Sequence, residues 1–245
     1  MPVRIDHYAE IDSTNEEARR RALAGERGPV WIRADRQGAG RGRRGREWVS
    51  KPGNLFITGL YVLDTSAGDA ARLSFAAALS VADLIEEFSP GLNPRLKWPN
   101  DVLIEGRKVC GILLESGAAP GGGLWLAAGI GVNLAHHPED SERPATSLAA
   151  HGAAADPAHA GERLAHHFDT WLQRWQAAGF APIRDAWLAR AHGLGERVAA
   201  RLENETVEGI FADLMPDGAL RLDLADGTRR LISAGDVFFP ANPQG

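Results

Sequence analysis

Apolar and polar positions change their period several times along the chain, and each change marks an element. The run "STNEEARRRALAG" sets Ser13 three residues before Glu16, the spacing of a capping box. It meets Gly25 where a helix would stop, which predicts a helix from about Thr14 to Ala24. The β-rich runs "PVWIRA" and "NLFITGLYVL" flank the stretch Arg36 to Trp48, so that stretch is expected to be a loop between two strands, made mobile by its glycines. "DAARLSFAAALSVADLIEEF" carries Leu73, Ala77, Leu84, Ile85 and Phe88 near helical spacing with no breaker before Pro90, which predicts one long, mostly buried helix. "RLKW", "DVLIEGRKVCGILLES" and "LWLAAGIGVNL" then read as strands, the second folded into a hairpin at Glu105-Gly106. "PAHAGERLAHHFDTWLQRW" puts Leu164, Phe168, Trp171, Leu172 and Trp175 on one helical face, and a shorter helix is expected from Ile183 to Ala191.

After "HGLG" the texture changes to alternating strands broken by "EN", "PDG" and "ADG", the pattern of a small antiparallel barrel. The boundary is placed near Gly193 to Gly195, giving segments 1–192 and 193–245. The fold class expected is α+β: a mixed β-sheet packed with helices, followed by a small β-barrel. No period of 20 to 50 residues repeats.

Composition narrows the setting without changing this picture. Hydrophobic residues make up 44% and charged residues 24% of 245, with a net charge of −5, as in an ordinary folded chain. The longest apolar stretch, from Leu124, falls short of the ~20 residues of a spanning helix, and the N-terminus lacks a signal-peptide pattern. Neither a membrane partner nor secretion is expected. The single Cys110 excludes an internal disulfide and agrees with a reducing, cytoplasmic setting. Mild acidity argues against a general nucleic-acid coat.

The charge is uneven, however. "RQGAGRGRRGREW" holds five arginines and four glycines. Glycine lets backbone N–H groups approach a phosphate and guanidinium forks grip its oxygens, while a solvated Arg-Gly loop is the alternative reading of the same residues. "KWPNDVLIEGRKVCGILLE" gathers Lys97, Asn100, Asp101 and Lys108 about two short strands. Asp101 is either a turn residue or a carboxylate for a divalent ion, and Lys108 either a solvated lysine or a phosphate partner. The pairs His136-His137 and His166-His167 lack metal-site spacing and are expected at the surface.

Taken together, "DSTNEEA", "QGAGRGRRGREW", "KWPNDVLIEGRKVCGILLE" and "GIGVNL" resemble the biotin protein ligases in order and spacing, from about Ile5 to Phe239. The resemblance implies a class II synthetase-like catalytic domain over 1–192, with a Src-homology-3-like barrel over 193–245. It implies biotin, ATP and Mg²⁺ as substrates and cofactor, and formation of biotinyl-5′-AMP. Transfer to a lysine of a biotin carboxyl carrier protein follows, and a homodimer is among the partners the resemblance allows. Arg41, Arg43 and Lys108 would meet the biotin carboxylate and the phosphates, with Lys108 the foremost. Ser13, Thr14, Gln37, Gly40 and Gly111 would hold biotin. Arg44, Arg46, Trp48 and Asn133 would serve ATP and the adenylate, and Asp101 the metal. Ser13 is also the expected helix cap, and Trp48 reads equally as packing. Some members carry an N-terminal winged-helix repressor domain, for which this sequence leaves no room, so repression is expected to be missing. Lipoate and octanoate ligases share the fold but lack the arginine loop. Cys110, in a strand beside Val109 and Ile112, is expected to be buried and to form no thioester.

Overall fold

The computed structural model describes residues 3–139 and 144–239. The outermost residues of the two expected segments, 1–2 and 240–245, lie outside the described residues. In chain order the elements are β1 (Ile5–Ile11), α1 (Thr14–Leu23), β2 (Val30–Gln37), β3 (Leu55–Leu63), α2 (Ala67–Ala71), α3 (Leu73–Phe88), β4 (Arg95–Lys97), β5 (Asp101–Ile104), β6 (Arg107–Ala118) and β7 (Leu124–Val132). There follow α4 (Pro157–Ala178), α5 (Ala181–Ala189), β8 (Arg197–Arg201), β9 (Thr206–Leu214), β10 (Leu220–Asp223), β11 (Arg229–Ile232) and β12 (Asp236–Phe238).

The capping-box serine behaves as its spacing requires: the Ser13 hydroxyl accepts from the Glu16 backbone N–H and α1 starts at the next residue. The long helix expected before Pro90 is instead two, α2 and α3, divided at Arg72. Ser66 supplies a cap to the first, and Arg72, which both bonds the carbonyl of Pro216 and pairs with Asp69, sits at the break. The hairpin at Glu105-Gly106 forms with both residues at positive φ, 51° and 73°, the conformation of a two-residue type I′ turn.

β1 to β7 form one mixed sheet in the order β1-β2-β3-β7-β6-β5-β4, with only β1 and β2 parallel. Period-2 alternation gives this sheet two unlike faces. On one, Trp31, Leu55, Ile57, Tyr61, Leu126, Ile130 and Ile112 join the core built with α3, α4 and α5. On the other, Val30, Ile32, Leu60, Trp125 and Ala127 pack beneath α1 through Ala18 and Ala22. α1 covers only part of that face, and the rest is open for a site.

β8 to β12 make a five-stranded antiparallel sheet in the order β11-β10-β9-β8-β12. It shares the main core, since Val198, Phe211, Leu214 and Leu220 are continuous with Trp187 of α5. Polar contacts fix its orientation: Trp98 Nε1 donates to the Gly218 carbonyl at 3.1 Å, and Arg184 pairs with Asp213 at 2.6 Å. No helix among the described residues is long and apolar enough to cross a membrane.

At the centre of the larger core, Phe168 of α4 meets Trp31 edge-on at 5.5 Å and Tyr61 at 5.5 Å. Truncating it removes both aromatic contacts and leaves a void. Phe168→Ala should lower unfolding free energy by about 3–5 kcal/mol in urea titration. A loss below about 1 kcal/mol would contradict this account of the core.

Candidate active site

A cavity of about 340 Å³ opens on the α1 face of the large sheet, between the start of α1, the loop after β2 and the β4–β5 turn. Its floor is cleared by missing side chains. Gly111 of β6 and Gly131 of β7 are register partners, and the Trp48 indole lies directly on both. A Cβ at Gly131 would stand 2.6 Å from the indole and one at Gly111 2.7 Å. Gly129, one step along the same face, similarly admits Asn15.

The arginine loop is a structured hairpin. Gly38 and Ala39 donate to the carbonyls of Ile11 and Asp12 at 2.8 Å each, Arg41 bridges to Glu47, and Trp48 N donates to the Gly40 carbonyl at 2.9 Å. A 3₁₀ turn over Arg43–Gly45 forms its tip, with Arg44 at φ 56°. Each arginine at the tip or flank has a carboxylate neighbour. Arg41 lies 3.2 Å from Glu16 and 3.9 Å from Glu115. Arg43, Arg44 and Arg46 converge on buried Asp236 of β12, at 3.8, 3.7 and 3.3 Å. Arg43 also donates to the Gly235 carbonyl at 3.2 Å and to Asn100 Oδ1 at 3.4 Å. Burial draws the Arg43 guanidinium below its ordinary pKa, and Asp236 opposes that shift by favouring the charged form.

Lys108 reaches the cavity from β6, with its Nζ 2.5 Å from Asp101 Oδ1 and 5.3 Å from the Trp48 ring centre. The segment after residue 143 braces its backbone: Lys108 N donates to the Pro144 carbonyl and Thr146 N to the Lys108 carbonyl, both at 2.8 Å. Asn133 is locked beside it, donating from Nδ2 to the Thr146 carbonyl at 3.0 Å. At the other end of the cavity, the Thr14 backbone N–H donates to Gln37 Oε1 at 2.9 Å, and Gln37 Nε2 to Ser50 at 3.2 Å.

The structure thus brings Ser13, Thr14, Gln37, Arg41, Arg43, Arg46, Trp48, Asp101, Lys108, Gly111 and Asn133 to one cavity wall. Arg44 and Gly40 stand behind it: Arg44 faces Asp236, and Gly40 packs so closely beneath the loop that a Cβ would lie 2.7 Å from the Trp48 carbonyl. Asn100, gathered with Asp101 and Lys108 in the sequence, also lines the cavity, while sequence reasoning missed Asn15, Gly129, Gly131 and Asp236. The two glycines had a signal in their period-2 placement within a strand. Among the described residues no group of three or more His, Cys, Asp or Glu side chains could hold a metal.

A polar slot beside a converging set of cations suits a ligand with a neutral polar head and an anionic tail. The sequence relationships agree. The Biotin/lipoate A/B protein ligase family model matches residues 9–133, and the Biotin protein ligase C terminal domain model matches residues 193–239. The biotin--[acetyl-CoA-carboxylase] ligase of Paracoccus denitrificans is 45% identical over 240 residues, which cover 94% of this chain and 98% of that protein. The chain belongs to the biotin protein ligase family. Among solved members, the Aquifex aeolicus biotin protein ligase in complex with biotin and ATP matches with a TM-score of 0.81 and 27% identity, over 96% of this chain and 97% of that one. The Leishmania major biotin protein ligase in complex with biotinyl-5-AMP matches with a TM-score of 0.63 and 25% identity, over 96% of this chain and 100% of that one.

In this biotin protein ligase fold Cys110 faces away from the cavity. It is fully buried in the core with Val109 and Ile112, and burial raises its thiol pKa far above the usual range. The native protein should therefore show no thiol reactive toward Ellman's reagent, with one appearing on denaturation. Rapid labelling of the folded protein would contradict that placement.

Proposed function

We propose that this chain condenses biotin with ATP to biotinyl-5′-AMP and pyrophosphate, then transfers biotin to a lysine on the carrier portion of acetyl-CoA carboxylase, in the cytoplasm. The observation that carries the reading is one cavity with a neutral polar slot at the start of α1 and Arg41, Arg43, Arg46 and Lys108 at its other side. In the first step a biotin carboxylate oxygen bonds to the α-phosphorus while the bond to the β-phosphate oxygen breaks and pyrophosphate leaves. Two anions approach and charge builds on the phosphoryl oxygens, so preplaced cations lower the barrier more than they strengthen ground-state binding. Lys108, Arg41 and Arg43 are assigned to the carboxylate and phosphates, Arg46 and Arg44 to the surrounding field, and Trp48 and Asn133 to the adenylate. Ser13, Thr14, Gln37, Gly40 and Gly111 are assigned to biotin.

Mg²⁺ would screen the phosphates when bound. The residues present fit it in one way: Asp101 is a single carboxylate already paired with Lys108, so phosphate oxygens and water would supply most of the ligands. In the second step the acceptor amine attacks the biotinyl carbonyl, the bond to AMP breaks, and the amine loses a proton. Positioning serves this step, and no enzyme nucleophile is required. Segments 1–192 and 193–245 are assigned to substrate chemistry and to support of the arginine loop, respectively, through Asp236.

Biotin-dependent exchange of labelled pyrophosphate into ATP tests the reading, with lipoate as control. Exchange supported by lipoate or octanoate and not by biotin would overturn it. Lys108→Ala should slow adenylate formation on the order of 100-fold while sparing transfer from added biotinyl-5′-AMP, and equal losses in both steps would refute the assigned role. Arg43→Ala should release the adenylate about tenfold faster before transfer, measured by trapping free biotinyl-5′-AMP. Retention matching the parent protein would remove Arg43 from the phosphate site.

A further inference from the structure

Beneath the polar end of the cavity runs a chain of side-chain hydrogen bonds with one direction that satisfies its shortest contacts. Asn15, at the first turn of α1, donates from Nδ2 to the Leu113 carbonyl at 3.1 Å and to Glu115 Oε2 at 2.8 Å. A carbonyl and an ionised carboxylate are acceptors only, so the amide cannot be reversed and Oδ1 must point the other way. There it meets Thr58, fully buried on β3, whose Oγ1 is 2.7 Å from Asn15 Oδ1 and 2.8 Å from Thr14 Oγ1. Thr58 has one hydroxyl proton. Asn15 Oδ1 has none, so the proton of Thr58 belongs to that contact, and the second contact is a hydrogen bond only if Thr14 donates to Thr58. Thr14 Oγ1 also lies 3.1 Å from Gln37 Oε1, so two hydroxyl protons serve three contacts. The longest is the one left without a proton, since leaving either the 2.7 Å or the 2.8 Å contact bare would face two oxygens at closer range, and the proton of Thr14 is thereby turned into the sheet and away from the cavity.

Its consequence falls on the cavity wall. Thr14 Oγ1 keeps lone pairs there, and Gln37 Oε1, already accepting from the Thr14 backbone N–H at 2.9 Å, keeps another. With the Thr14 proton spent on Thr58, these two oxygens, 3.1 Å apart, face each other as acceptors and suit a ligand head that brings N–H groups. A cyclic urea has two N–H groups, whereas a dithiolane ring has none and would leave both acceptors unpaired at a cost in affinity.

We infer that Thr58, which does not itself line the cavity, is a positioning and specificity-determining residue: through Asn15 and Glu115 it fixes the proton on Thr14 so that the site selects a ureido ring over a lipoyl-type ring. This rests on the biotin reading given above.

The test compares Thr58→Val and Thr58→Ser with the parent in pyrophosphate exchange, with melting temperature recorded for each. Val fills the same volume without a hydroxyl, and Ser restores the hydroxyl. Thr58→Val should raise KM for biotin about 10- to 100-fold and KM for desthiobiotin, which keeps the urea ring and lacks the sulfur, by a similar factor. Its kcat and its KM for ATP should stay within about threefold of the parent, and Thr58→Ser should recover most of the biotin affinity. Should Thr58→Val melt, Thr58→Ala carries the same comparison. A folded hydroxyl-free variant with parental KM for biotin would overturn the relay, as would equal impairment of the Ser and hydroxyl-free variants. If the parent itself shows no biotin-dependent exchange, the underlying function fails instead, and the two failures are distinct.

Discussion

Like charges must be held together before the anion that justifies them arrives, and much of this structure answers that constraint. Arg41, Arg43, Arg46 and Lys108 border one cavity, each with a carboxylate within 4 Å: Glu16 for Arg41, Asp236 for Arg43 and Arg46, Asp101 for Lys108. The pairs to Asp236 and Asp101 have a buried carboxylate, where Coulomb interactions are less screened than at an open surface. They let the cations keep fixed positions at modest cost, so on the proposed function an incoming phosphate would meet an arranged field. Asp236 also ties the two sheets together, because it belongs to β12 and pairs with three arginines of the loop that follows β2.

The rest of the site is arranged by subtraction. Glycines at 111, 129 and 131 all lie on the α1 face of adjacent strands and leave the backbone bare where Trp48 and Asn15 settle. The opposite face of those strands carries Cys110, Ile112, Ile130 and Val132 into the core. One alternation therefore divides packing from chemistry along the same few residues.

What the sequence disclosed was mostly local. Ser13 with Glu16 marked the start of α1, Glu105-Gly106 marked a hairpin, and the flanking β-rich runs placed the arginines in a loop. The division of the long helix at Arg72 escaped notice, because its cause includes the carbonyl of Pro216 in the distant β9–β10 connection. Asp236 escaped for the same reason, standing 190 residues from Arg46. Asn15 lay inside a quoted motif, yet its role depends on a register that sets Thr58 opposite Gly129. The motif marked the residues involved, and only the sheet pairing shows which atoms meet. Ser13, read as a helix cap and as a biotin contact, is the cap, its hydroxyl accepting from Glu16 N at 3.4 Å, and the residue also borders the cavity, so the two roles are compatible.

The central claim is that the adenylate lies in this cavity beneath the arginine loop. Hydrogen exchange of backbone amides, followed with and without biotinyl-5′-AMP, reads that directly. The account predicts slowed exchange over residues 38–48 and at the first turn of α1, with the α3–α4 core unchanged. Unaltered exchange in the loop with new protection elsewhere would contradict it.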